Sequence, residues 1–470
     1  MHPFESASTE SGPDSLSALG LAVANAMNVA PDESPLPAFF SPFGIVRRFQ
    51  RDSLGVLEEL HQRHRDVSPF RFFHTRGYLI SDPALIHEVL IRGSANFTKS
   101  FGLKRAKVLL GEGLLTSEEP LHMRQRRLVQ PAFHREHLRG YGEIMVSVAD
   151  AWLSRWGINW KPGQVVNLHH ELVELTMSIV SKSLYNSDVR SDPKSNGEES
   201  SALMRMFRLI ISPFAGDLLK LHVAKEQLDR RVYSLIAERR ASGGDFGDLL
   251  SMLLAAQDTE SGGAKMTDLQ IRDEIITLFL AGHQTTANAL AWTWYLLATH
   301  PESERALFDE LDRVLGDRAP SADDFDSLPY TYAVFAESMR LYPPVWLIAR
   351  ASIKKFEMGG KRFPANSIFF VSPWIMHRDA RFWDKPAEFA PERWMTPSPD
   401  RPKMTYIPFG AGSRLCVGER FAWMEGVLLL ARIGQKWRFR LAPEAKIVPQ
   451  PMITLTLKYG LPVMPEKRSP

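Results

Sequence analysis

Cys416 is the only cysteine among 470 residues, and it lies in the run Phe409-Gly410-Ala411-Gly412-Ser413-Arg414-Leu415-Cys416-Val417-Gly418. Three glycines let the backbone fold close around the sulfur, so that amide N–H groups can point at it and hold negative charge there. Arg414, two residues earlier, adds positive charge that lowers a thiol pKa or pairs with an anion. A thiol in such a loop has three uses: thiolate metal ligand, nucleophile with a histidine base supplied by the fold, or small buried structural residue. The surrounding glycines and arginine favour the ligand. A single cysteine also excludes an intrachain disulfide, which fits a reducing compartment.

Three more stretches carry residues able to do chemistry or to hold charge. Ala281-Gly282-His283-Gln284-Thr285-Thr286 falls inside a long helical pattern. Glycine there costs about 1 kcal/mol relative to alanine, so Gly282 implies a close approach to the backbone, by a flat ligand or by another helix. Thr285 can turn its hydroxyl to the Ala281 carbonyl one turn back, loosening the helix and leaving a hydroxyl beside a groove. Glu337 and Arg340 are three apart and share a helix face. Their apolar flanks, Val334, Phe335, Leu341 and Tyr342, predict a buried pair. His122 and Arg126 lie one turn apart at a helix start and can reach one anionic group.

Taken together, these stretches resemble the cytochrome P-450 family. The pattern Phe409-x-x-Gly412-x-Arg414-x-Cys416-x-Gly418 is similar to the family's haem-binding loop. Ala281–Thr286 looks like its oxygen-activation segment, and Glu337–Arg340 like its Glu-x-x-Arg helix, with Arg393 of Pro391-Glu392-Arg393-Trp394 as third member. The resemblance runs from about Pro37 to Arg468. It implies that Cys416 is the axial thiolate of a non-covalent haem b, in a loop shaped by Phe409, Gly410 and Gly418. It also implies that His122, Arg126, Arg350 and Arg414 face the two propionates, that Glu337, Arg340 and Arg393 are structural, and that Ala281, Gly282, Gln284 and Thr285 form the dioxygen side. Ala281 stands where members that esterify their haem carry glutamate. Gln284 departs from the pattern, because most members have Asp or Glu there. A glutamine amide does not titrate near neutral pH, so proton delivery is expected to be less tightly coupled to turnover.

The activity implied is monooxygenation: one oxygen atom of O2 enters a C–H bond of a lipophilic molecule, such as a fatty acid, terpenoid, steroid-like or polyketide-like compound. NAD(P)H is expected to act indirectly, through a separate ferredoxin and ferredoxin reductase, with no fused redox domain. Arg124, Arg127 and Arg420 are the expected ferredoxin contacts. Two alternatives stay open: a peroxide-driven peroxygenase, and a haem protein that binds a ligand without turnover. The substrate is expected against the loop before His122, Phe279, Val345, Trp346, Leu347, Ile348, Met452 and Ile453.

Helical periodicity covers about 53–64, 120–140, 143–156, 168–185, 224–241, 267–300 and 301–315. Strand-like alternation is confined to 69–73, 78–81, 349–356, 367–372 and 453–457. The expected fold class is therefore mainly α with small sheets, the family's triangular prism around a long central helix. No linker or repeat divides the chain, so residues 37–470 read as one domain after a loosely ordered leader, 1–36. The net charge of +3 is too small to imply a nucleic-acid partner. The apolar patch between Leu16 and Ala30 is too short to span a bilayer. A soluble, cytoplasmic monomer without a transmembrane anchor is expected.

Overall fold

Helices and strands follow the hydrophobic periods closely across residues 42–72, 75–186, 218–258, 262–396 and 398–468, which the computed structural model of the chain describes. The expected leader lies outside these residues, as does Phe73 at the end of the first expected strand.

Five short strands build the largest sheet: β1 (Val67–Phe72), β2 (Thr75–Ile80), β3 (Phe97–Lys99), β4 (Ile348–Ser352) and β5 (Ile368–Val371). Their order is β1-β2-β5-β4-β3, so early and late parts of the chain meet in one sheet, as the sequence suggests. One register matters for the site: β3 runs antiparallel to β4 and sets Lys99 opposite Arg350. The single strand expected over 349–356 is in fact two. β4 stops at Ser352, and Phe356–Met358 pairs with Lys361–Phe363 around Gly359 and Gly360, both at positive φ.

The helices that position the site are α1 (Phe101–Leu110), α2 (Leu121–Val129), α3 (Leu168–Tyr185), α4 (Asp268–Thr299), α5 (Pro329–Leu341) and α6 (Glu419–Lys436). α4 starts at a reciprocal capping box: Thr267 Oγ1 accepts from the Gln270 amide, and Gln270 Oε1 from the Thr267 amide. It ends just before Pro301, the first residue of the next helix. At ~1.5 Å per residue its 32 residues span about 48 Å, and most of them are buried. α3 packs along it, with Val180 3.0 Å from where a Gly282 Cβ would stand and Thr176 Oγ1 donating to the His283 carbonyl at 3.0 Å.

Two expected helices fuse differently. The helix expected over 120–140 breaks at Pro131 into α2 and a short 3-10 turn, while Arg135–Asn159 runs unbroken through Gly140 and Gly142. Gly142 packs there against Ala322, a tertiary contact that outweighs its weak helix propensity.

Candidate functional site

The Cys416 loop is a tight backbone construction. The Cys416 amide donates to the Phe409 carbonyl at 3.0 Å, and Gly410 and Gly412 both have a φ of 74°. At Gly412 a Cβ would fall 2.2 Å from the Leu90 carbonyl oxygen, so glycine is required by space as well as by φ. The Phe409 ring packs on Trp423 of α6 at 5.6 Å. The Gly418 amide donates to the sulfur, and Arg126 lends it positive charge. Burial nevertheless pushes the free thiol up to about 11. Yet Cys416 is accessible. Protein crowds the sulfur while leaving it open, which means that it faces a space inside the molecule. A cation bound at Sγ would displace the proton and bring the thiolate out at neutral pH.

The central helix presents a matching feature. Ala281 is exposed although α4 is buried on both sides of it, and Thr285 Oγ1 donates to the Ala281 carbonyl at 2.7 Å, the bond expected from the sequence. Gln284 is buried and its Nε2 makes a long contact, 3.4 Å, with Asn288 Oδ1. Asn288 Oδ1 is already held by His169 Nε2 at 2.7 Å, and Asn288 Nδ2 donates to Thr454 Oγ1 at 2.9 Å. His283 turns away, its Nδ1 on the Phe279 carbonyl. At Gly282 the close approach is Val180 of α3, the second of the two approaches expected there. Its missing side chain makes room for that helix–helix contact.

Beside the loop lies a cage of cations. Arg126 Nη1 donates to the Leu415 carbonyl at 2.6 Å. Arg414 donates to the Ser117 carbonyl at 3.1 Å and pairs with Glu118 at 2.7 Å. His122 Nδ1 meets Glu119 Oε1 at 2.9 Å. Burial and then the Arg414 charge hold this imidazole well below its usual range. Among the described residues the Arg350 guanidinium donates to the adjacent Ala349 carbonyl at 3.1 Å. Burial and then Arg414 lower it to about 10. Lys99, which sequence reasoning missed, completes the set. Its buried Nζ donates to the Ser117 and Leu114 carbonyls at 2.6 and 3.2 Å, and burial plus Arg414 bring it down to about 7. Like charges opposite each other on adjacent strands destabilise a sheet, so Lys99 facing Arg350 marks a place prepared for anions. No signal local to the sequence identifies Lys99; the β3–β4 register does.

The buried ion pair is confirmed in geometry. Glu337 Oε1 and Oε2 each lie 2.8 Å from Arg340, and both side chains are fully buried. Arg393 Nε, the Ala390 amide and Trp394 Nε1 supply three more donors at 2.9, 3.0 and 2.8 Å. Arg340 spends its other N–H groups on the carbonyls of His377, Pro386 and Glu388.

Most of the chain has matching relatives. A family model described as Cytochrome P450 matches residues 31–463. Cyclooctatin synthase of Streptomyces melanosporofaciens is 38% identical over 86% of this chain and 89% of its own. Cyclooctat-9-en-7-ol 5-monooxygenase of the same organism is 33% identical, over 90% and 94%. Pentalenene oxygenase of Streptomyces avermitilis is 32% identical, over 83% and 88%. The crystal structure of the cytochrome P450DA heme domain superposes with a TM-score of 0.84 at 27% identity, covering 94% of this chain and 97% of that one. The chain belongs to the cytochrome P450 family.

Membership makes this P450 a monooxygenase of the haem-iron class, and its residues fit that cofactor. An accessible sulfur opens on the interior, the exposed Ala281 gives the central helix a bare spot, and a cage with surplus positive charge suits two carboxylates. Glu118 and Glu119 already engage Arg414 and His122, so the cage is less free than the sequence implies. Phe279, Val345, Leu347, Ile348, Met452 and Ile453 are half-buried, and Ile348 lies 3.8 Å from where a Gly410 Cβ would stand. Trp346 sits deeper than its neighbours in the expected lining. It is buried in the core cluster with Phe70, Phe370 and Trp374, and its Nε1 holds the Met452 carbonyl at 2.9 Å. That bond ties the two expected lining segments together. Arg124 and Arg127 both pair with the buried Asp258 while staying part-exposed. Arg420 is exposed. No helix of the described residues is long and apolar enough to cross a membrane.

Proposed function

We propose that this P450 hydroxylates a terpenoid at an unactivated C–H bond, drawing electrons from a separate ferredoxin and its reductase. The observation that carries the reading is the kinship with enzymes named cyclooctatin synthase, cyclooctat-9-en-7-ol 5-monooxygenase and pentalenene oxygenase, joined to apolar expected lining residues at Phe279, Val345, Leu347, Ile348 and Ile453. When bound, haem supplies dioxygen reduction and C–H oxygenation. The chain's own residues do the rest. Cys416 Sγ is the ligand atom; the Gly418 amide and Arg126 favour its anion only in part against burial, and a bound metal would release the proton. Arg350, Arg414, Arg126, His122 and Lys99 are the donors for the two propionates. Ala281 leaves room on the central helix. The Thr285 hydroxyl, bound to the Ala281 carbonyl at rest, can rotate to hold a proton at the dioxygen side. Gln284 can position a hydrogen bond there but cannot deliver a proton by titrating.

The test is turnover of a panel of cyclic terpene hydrocarbons and alcohols by haem-loaded protein with ferredoxin, reductase, NADPH and isotopically labelled O2. Labelled hydroxylated product is expected. Product with peroxide alone would make the protein a peroxygenase, and ligand-induced spectral shifts without product under either condition would make it a binding protein.

A further inference from the structure

The segment joining α1 to α2 is gripped at both ends. Gly111 has φ 62°, and a Cβ there would stand 2.2 Å from the Asp273 carboxylate. The Glu112 amide donates to Asp273 Oδ2 at 2.7 Å, and the Leu114 amide to Glu274 Oε2 at 3.0 Å. A Cβ on Gly113 would meet the Thr277 hydroxyl at 2.2 Å. At the other end, Lys99 and Arg414 both donate to the Ser117 carbonyl. Thr277 lies one helical turn before Ala281, and Arg414 lies two residues before Cys416. The segment Gly111–Ser117 therefore bridges the two sides of the site, the central helix and the Cys416 loop.

Its central grip is chemically odd. Glu274 is fully buried, and its Oε1 has no hydrogen-bond partner among the described residues. The groups acting on it are Asp273 beside it on α4, Lys99 on β3 and Tyr185 on α3, which itself faces Asp248 and Tyr141. Burial, partly offset by the Leu114 amide and reinforced by Asp273, raises its carboxyl to about 8.

We propose that Glu274 is a positioning residue: as a neutral acid it holds the segment Gly111–Ser117 closed over the site, and loss of its proton opens that wall. In the open form water would reach the carboxyl and return it to its ordinary range, so closing takes up a proton. The closed form is then fully favoured below the ordinary carboxyl pKa of 4.5. It loses ground as pH rises, by at most about tenfold per pH unit, until about pH 8, where the effect levels off. The proposal rests on the haem-site reading and is independent of the terpenoid one, so absence of terpenoid product leaves both of its readouts intact.

The experiment uses the full, haem-loaded chain at pH values from about 6 to about 9. Hydrogen–deuterium exchange of peptides spanning 111–117, corrected for intrinsic base catalysis, reads the latch. The association rate of tert-butyl isocyanide, an uncharged haem ligand, reads access to the site. In the wild type, protection should fall and isocyanide entry should speed up with rising pH, each at least about threefold and levelling near pH 8. Glu274→Gln, which keeps an acceptor and never ionises, should flatten both profiles. Glu274→Leu should be open throughout; if it does not fold, the wild type and Gln pair decides the matter. A flat wild-type profile overturns the proposal. So does a slope that survives in Glu274→Gln, which would assign the titration to Lys99 or another group. A change in exchange without a change in isocyanide entry would show that the segment does not wall the site.

Discussion

Replacing Gln284 by glutamate would set a carboxylate beside Asn288 Oδ1, which already accepts from His169. Two acceptors would then face each other, until the Asn288 amide turns or the new acid binds a proton. The acid position gains a titrating group at the expense of this buried network. Gln284→Glu is expected to raise the ratio of product to NAD(P)H consumed and to lower the melting temperature by a few degrees. Thr285→Ala is expected to lower the ratio. Unchanged coupling in Gln284→Glu would remove position 284 from proton delivery. At the other side of the site, Cys416→Ser should lose the red-shifted carbon-monoxide Soret band of the ferrous protein, because an alcohol is a poor soft ligand for iron. A retained band would refute the axial assignment.

At the level of elements, α5 and the Cys416 loop are held by different physics, and their failures should differ. Glu337 is the single anion among two arginines, an indole N–H and a backbone amide. Its removal strands two charges, at a cost of about 3–5 kcal/mol. Glu337→Ala should yield little soluble holoprotein, measured as haem per chain after purification, and Glu337→Gln should be milder. Gly412 acts through backbone sterics alone. Gly412→Ala must move Leu90 or abandon its φ of 74°, at about 1–3 kcal/mol. The loop should then bind haem more weakly, seen as faster haem transfer to an apo-acceptor, while the α5 anchor stays intact in far-UV circular dichroism.

For the molecule as a whole, the buried titratable groups set opposite limits on stability. His377 Nε2 accepts from the Ile407 amide at 2.9 Å, and burial brings its pKa down to about 3. This stabilisation is present above the ordinary histidine value of 6.5 and is lost as pH falls toward about 3. Glu425 on α6 behaves in the opposite sense. It is fully buried and its carboxyl oxygens have no well-formed partner among the described residues. Burial, slightly offset by the Thr286 hydroxyl, raises it to about 8. Stability tied to its protonated form is complete below 4.5 and is lost as pH rises through about 8. Glu425→Gln should therefore raise the melting temperature at about pH 8 and change it little near pH 5, as read by scanning calorimetry. Equal shifts at both values would mean that Glu425 is solvated.

Local chemistry was legible in the sequence wherever one residue type has few substitutes. The lone Cys416 in its glycine-rich loop, the Thr285 hydroxyl one turn from Ala281, and Glu337 three residues from Arg340 all depend on spacing along one backbone, and all three geometries are present. The long α4 was equally legible, from its capping residues and its continuous apolar period. Tertiary structure decided the rest, because those features depend on what arrives from elsewhere in the chain. Gly282 serves Val180, which is far away in sequence. Trp346 sinks into a core assembled from residues between 45 and 455. Arg124 and Arg127 find Asp258. Lys99 becomes part of the anion cage only because β3 lands beside β4 in the register that puts it across from Arg350. A one-residue slip would turn it to the other face of the sheet, and no pattern within residues 97–99 records which register the folded sheet adopts.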